Sequence, residues 1–200
     1  RKDVMYDYLQ REDVNGRSLQ VKIARQVVKE HKLNSCETKA LVADDSVKTR
    51  RGKKMEGVSC HFDHLTGKTV MGQQTLTLGY AGDDFFLPLD SEIYISEKRI
   101  QAPQQDFIDG RSIAAKRYHD SLTMSKPQLL AAMVKRALAN GFAADYLLAD
   151  AWFGNKTTLR LTQQFDLTAI LRMKKGNMQY LASVFAAPSL LCTSSGQSGR

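Results

Sequence analysis

Two aspartate-bearing strings carry the most chemical information in this chain. Ala43-Asp44-Asp45-Ser46 and Leu147-Leu148-Ala149-Asp150-Ala151-Trp152-Phe153-Gly154 each set an aspartate where an apolar run gives way to polar residues. A strand that ends in this way presents a short, ionised and rigidly placed carboxylate. Mg²⁺ or Mn²⁺ takes such oxygen ligands, and strings about a hundred residues apart can share one ion only if the fold brings them together. Asp44 and Asp150 are therefore the candidate metal ligands. Each alone also suits a turn or N-cap, a common use of aspartate, and it is their combination with the element order that favours the metal.

Positive charge accompanies both strings. Lys48-Thr49-Arg50-Arg51-Gly52-Lys53-Lys54 packs five cations into seven positions just after the first, and Arg172, Lys174 and Lys175 follow the last apolar run. Lys48, Arg50, Arg51, Lys53, Lys54, Arg172, Lys174 and Lys175 are candidate phosphate contacts, with a solvated hairpin tip or strand end as the ordinary alternative. The whole chain carries 29 Lys and Arg against 21 Asp and Glu, a net charge of +8, which favours polyanionic partners without naming one.

At 200 residues with 42% hydrophobic content, the chain can bury one substantial core. No apolar run reaches the ~20 residues of a membrane helix, and no signal-peptide pattern opens the sequence, so a cytoplasmic protein is expected. Cys36, Cys60 and Cys192 lack metal-ligand spacing and read as reduced thiols. Both ends read as cut: the chain starts at Arg1 and closes in a small, polar tail that is expected to be disordered over 181–200. The expected organisation is an N-terminal helical segment over 1–36, a partial α/β domain over 37–180, and that tail.

The elements that must place the aspartates follow from periodicity. Apolar residues at 19, 23, 24, 27 and 28 predict a helix over about 18–32, with Lys22, Arg25, Lys29 and Lys32 mainly on its other face. A strand is predicted at 40–45, then two antiparallel strands over 57–63 and 69–80, with 85–89 and 92–95 continuing the sheet or its edge. Residues 98–124 read as a long polar connection. Pro127 opens and Asn140-Gly141 closes a helix over about 127–140. A short buried strand at 146–149 ends at Asp150, followed by a helix over 157–165 and a strand over 167–173. Three strands, a helix, a strand, a helix and a strand make the order of a ribonuclease H-like α/β fold, whose antiparallel meander leads into parallel strands. In such a sheet the strands ending near Asp44 and Asp150 are central neighbours.

Leu41-Val42-Ala43-Asp44-Asp45-Ser46, Lys53-Lys54-Met55-Glu56-Gly57-Val58, Phe62-Asp63-His64 and Thr75-Leu76-Thr77-Leu78-Gly79-Tyr80 resemble the start of the catalytic domain of bacterial insertion-sequence DDE transposases, of the insertion sequence 4 type. Ala144-Asp145-Tyr146-Leu147-Leu148-Ala149-Asp150-Ala151-Trp152-Phe153-Gly154 resembles the segment around their second catalytic aspartate, and the likeness runs over roughly residues 1–180. It implies two aspartates and a glutamate holding two Mg²⁺ or Mn²⁺ ions for in-line displacement at a DNA phosphodiester. It further implies terminal inverted repeats and target duplex as partners, and a dimer in the complete protein. Asp44 matches the first position through its spacing to Ser46, with Asp45 in reserve because adjacent strand residues face opposite ways. Asp150 matches the second. The family's third acid is a glutamate on a later helix, and this chain has no Glu after Glu97. Asp166 is poorly placed to substitute, so the chain reads as a truncated transposase with little or no strand transfer of its own.

Remaining residues take ordinary readings. Trp152 suits the core, with base stacking as its alternative. His61 and His64 fall in a strand and turn, where their spacing sends them to opposite faces rather than to one metal. A ribonuclease H-like nuclease without transposition, or a basic DNA-binding module with structural carboxylates, remains the competing function.

Overall fold

Strand β1 (Ala40–Thr49) shows how the sheet is built: it buries Ala40, Leu41 and Ala43, then turns polar at Asp44. In the computed structural model the described residues are 2–51, 55–63, 66–97, 100 and 106–172. Lys53, Lys54, His64, Lys174, Lys175, Cys192 and the 181–200 tail lie outside them.

Five further strands complete the sheet: β2 (Ser59–Asp63), β3 (Lys68–Ala81), β4 (Phe86–Tyr94), β5 (Tyr146–Ala149) and β6 (Thr168–Leu171). β3 runs antiparallel to β1 along its whole length, from Ala40 opposite Ala81 to Thr49 opposite Gly72. Its other edge is shared: β2 pairs with its first part and β4 with its second. The central pairing is parallel, β1 with β5 and β5 with β6. Across the sheet the order is β4, β3, β1, β5, β6, with β2 sharing the β4 edge. This is the ribonuclease H-like mixed sheet that the element order predicts, and it sets β1, which carries Asp44 and Asp45, beside β5, which ends just before Asp150. A bulge at Leu78/Gly79 lets Phe86 cross β3, where a Cβ on Gly79 would meet the Phe86 ring at 2.3 Å.

Helices α1 (Lys2–Leu9), α2 (Gly16–Glu30), α3 (Ile113–Thr123), α4 (Lys126–Ala139) and α5 (Lys156–Gln164) accompany the sheet. α4 opens with a Ser125/Gln128 capping box and a proline in its first turn, and it stops at Gly141, whose φ of +83° suits glycine. Its Leu129, Leu130, Met133, Val134 and Ala137 pack into one core with Leu41, Leu76, Leu78, Tyr80, Leu89, Phe142, Leu147 and Phe153. Ala24 and Val28 of α2 belong to the same core.

Three sequence expectations change, the first being the strand predicted at 40–45, which runs on to Thr49 along β3 and so holds Asp44, Asp45 and Lys48 within it. The predicted polar connection over 98–124 contains α3, capped by Ser112, whose Oγ accepts the Ala115 amide at 3.1 Å. Only Ala115 and Ser121 of this helix are buried, so its apolar signal is too thin for periodicity to detect. In α2 the core-facing stripe is Ala24 and Val28, both buried, with Val21 half-buried, while Leu19 and Ile23 are exposed. Arg17 lies on that stripe and explains the offset. Its guanidinium engages Glu92 and lies 3.1 Å from Asp90, two carboxylates buried on β4. Arg136 of α4 reaches Asp90 Oδ2 at 2.6 Å and Glu92 Oε1 at 2.7 Å, and Arg117 of α3 donates to Ser91 O at 2.6 Å. One charge cluster thus pins three helices to the edge strand, and desolvating its two carboxylates requires those partners.

Candidate active site

The sheet register brings the aspartates to one place. Ala43 pairs with Ala149 and Ala149 with Leu171, so Asp150 and Arg172 follow the ends of β5 and β6 at the level where β1, which runs on to Thr49 beside β3, carries Asp44 and Asp45. Ligands of open α/β sheets bind outside such carboxyl ends.

Asp44 and Asp45 then part company. Leu41 and Ala43 point into the core, and Asp45 continues that face by the alternation of a strand. Its carboxylate borders a cleft of about 760 Å³ that also exposes Asp150, Trp152, Lys126, Tyr94, His61 and Gln74. Asp44 is exposed and does not border this cleft; its Oδ1 accepts the Asp45 amide at 2.8 Å. Of the aspartates in the two sequence strings, Asp45 and Asp150 therefore line one cavity, and Asp63 of β2 lines it as well.

Asp45 and Asp150 are each oriented. Asp150 Oδ1 accepts the Trp152 amide at 3.0 Å, an Asx-turn, while the Phe153 amide bonds the Asp150 carbonyl at 3.1 Å. Phe153 is wholly buried and Asn155 caps α5, taking the amides of Thr157 and Thr158, so the turn is anchored on both sides. This explains the residue types between Asp150 and Asn155. Asp45 Oδ2 is held by the Lys126 ammonium at 2.7 Å.

Lys126 is the residue that sequence reasoning missed. Its side chain is 8% exposed, and its Nζ lies 4.3 Å from the centre of the Trp152 ring and 5.4 Å from that of Tyr94. A signal existed: it is a cation in the first turn of a helix, where the macrodipole disfavours positive charge. Trp152 thus serves as a wall of the cleft with Lys126 against its face. His61 also borders the cleft. Its Nε2 lies 2.8 Å from Ser59 Oγ, and burial, with the nearby Lys126 charge, pushes its imidazole below the ordinary histidine value.

The expected phosphate contacts fall elsewhere. Among the described ones, Lys48, Arg51 and Arg172 are exposed, and Arg50 donates to Gln73 Oε1 at 3.1 Å; none borders the cleft. A larger cleft of about 1000 Å³ lies beside Ile93, Phe107 and Tyr118, but its Glu92 and Arg117 are spent on the charge cluster, 3.4 Å apart. It offers no comparable chemistry.

The donor chemistry of Asp45 and Asp150, both in the wall of the smaller cleft, suits a divalent cation. Both donors are hard carboxylate oxygens, and Asp45 already draws a buried positive group to within 2.7 Å. The protein set is partial: among the described residues no three His, Cys, Asp or Glu side chains converge on one point.

Comparison with known proteins places the chain. No curated protein matches it. Among solved structures, a chain of the Drosophila P element transposase strand transfer complex is similar over 68% of this chain and 22% of its own length, at 8% identity and a TM-score of 0.29, too slight a likeness to carry an argument. The present chain thus spans about a fifth of that protein. The family description "DDE superfamily endonuclease" matches residues 3–200, nearly the whole sequence, and the chain belongs to that family.

Proposed function

We propose that this chain carries the first and second carboxylates of a metal-dependent DNA transposase, and that these are Asp45 and Asp150. The observation that carries the reading is that two acids from remote strings border one cleft just beyond the last parallel pair of β1 with β5. Family membership supports phosphodiester cleavage as the chemistry. Bound Mg²⁺ or Mn²⁺ would supply Lewis-acid activation of the attacking hydroxyl and stabilisation of the leaving oxygen in an in-line displacement.

The residues present do the positioning. The Trp152 amide fixes one oxygen of Asp150, a residue of the cleft wall, and among the described residues Oδ2 has no hydrogen-bond partner. Asp45 sits on the rigid continuation of β1 rather than on a loop, which limits its wander relative to Asp150. The exposed Lys48, Arg51 and Arg172 near this end of the sheet would meet backbone phosphates of duplex DNA without reading its sequence. Asp63 of β2 also lines the cleft, but no three acids there converge on one point among the described residues, so the chain by itself would cleave poorly and a third converging carboxylate would complete the set. Terminal inverted repeats as the substrate, a dimer as the working assembly and a cytoplasmic location all belong to this proposal.

The test separates it from its competitors. Mn²⁺ should raise the thermal midpoint of the chain, and Asp150→Ala should remove that increase while duplex binding survives. Equal loss of metal response and DNA binding would instead favour a DNA-binding module with structural carboxylates. Preference for terminal repeats over arbitrary duplex separates a transposase from a general nuclease.

A further inference from the structure

We propose that Lys126 is a built-in counter-cation for this site: its ammonium occupies the Asp45 carboxylate when no divalent ion is bound and yields that oxygen when one binds. This rests on Asp45 and Asp150 being the metal-binding pair.

A buried lysine is costly unless its charge is met, and here it is met in two ways. Asp45 Oδ2 lies 2.7 Å from Nζ, and the rings of Trp152 and Tyr94 offer their electron-rich faces at 4.3 and 5.4 Å. The backbone gives no reason for the charge, because the first turn of α4 already carries the positive end of its dipole. What calls for a cation is the cleft. Carboxylates lining one cavity, here Asp45, Asp63 and Asp150, repel one another, and Lys126 offsets the charge of Asp45.

The same position makes the ammonium a competitor. A divalent ion on Asp45 Oδ2 would stand within about 5 Å of Nζ, where like charges repel strongly in a partly desolvated site. The lysine stem has four rotatable carbons and can withdraw its head along the aromatic walls without unpacking them. Metal entry then exchanges one cation for another at Asp45, and Lys126 acts as a positioning residue that keeps this carboxylate turned into the cleft between exchanges.

The experiment measures Mn²⁺ affinity of the whole chain by calorimetry and follows the Lys126 Nζ resonance by ¹⁵N NMR during Mg²⁺ addition. Lys126→Met, which keeps the stem against both rings, should bind Mn²⁺ roughly tenfold more tightly. Lys126→Arg, with a bidentate grip on Asp45, should bind it more weakly. In the unmodified chain Mg²⁺ should shift the Nζ signal away from its carboxylate-bound position, and this readout decides the matter if Lys126→Met does not fold. Mn²⁺ binding with unchanged or weaker affinity in Lys126→Met, or an Nζ signal indifferent to Mg²⁺, overturns the counter-cation role alone. Mn²⁺ affinity that survives both Asp45→Asn and Asp150→Asn overturns the metal-pair reading beneath it.

Discussion

Removing one aspartate of the adjacent pair should cost far more stability than removing the other. Asp45→Ala deletes the carboxylate partner of an ammonium whose side chain is 8% exposed, whereas Asp44 is exposed and bonds only its neighbour's amide. Breaking a buried ion pair from one side typically costs about 3–5 kcal/mol. Two facts reduce that figure: Asp45 keeps 19% exposure, and Lys126 retains two aromatic faces, worth about 0.5–2 kcal/mol together. The expected loss for Asp45→Ala is therefore about 2–3 kcal/mol, or a fall of roughly 5–10 °C in Tm for a domain of this size. Asp44→Ala should stay within about 0.5 kcal/mol of the parent. Adding Lys126→Met to Asp45→Ala should restore most of the loss, since no unpaired charge then remains in the cleft. Urea unfolding reads this directly, because the single tryptophan, Trp152, lies against Lys126; far-ultraviolet circular dichroism measured in parallel checks that the transition is global. Equal losses from the two aspartates, or a double variant as unstable as Asp45→Ala, would refute the assignment of faces.

The charge cluster on β4 should behave as a unit: Arg136→Ala leaves Asp90 and Glu92, each 6% exposed, with Arg17 and, for Glu92, Arg117 as remaining partners, and should cost about 2–4 kcal/mol in urea unfolding, with Arg136→Lys recovering only part because it loses the forked contact. His61 should make stability depend on pH. Its folded value is depressed by burial first and the Lys126 charge second, so the unfolded chain binds the proton more readily; the neutral-imidazole contribution is complete above about pH 6.5 and declines as pH falls through the folded value. Urea midpoints at pH 7.5 and 5 should therefore diverge less in His61→Gln than in the parent, and an equal divergence would assign the effect to other groups.

Much of the sheet was legible because its signals are local. The apolar run of β5 stops at Asp150, Pro127 and Asn140-Gly141 bracket α4, and alternation marks β3, so the order of elements and the neighbouring of β1 and β5 follow from pattern and connectivity rules. α3 escaped because a helix that buries two small residues leaves almost no apolar periodicity. The face of α2 escaped for another reason: its buried stripe begins at a charged residue, Arg17, and no hydrophobic pattern can mark a cation whose partners sit 73 and 75 positions away.

The sequence by itself determined that Asp150 would stand at a strand end and that its strand and the one carrying Asp44 and Asp45 could be neighbours, because turn chemistry and side-chain period act over a few residues; that β1 runs past both aspartates to Thr49 depends on its ladder with β3. That Asp45 rather than Asp44 lines one cleft with Asp150, and that Lys126 lines it too and pairs with Asp45, was decided only by the tertiary structure. Alternation says that adjacent residues face apart; it does not say which side of the sheet α4 will cover, and that choice is made by packing between segments more than eighty residues apart, as the Asp45–Lys126 pair shows.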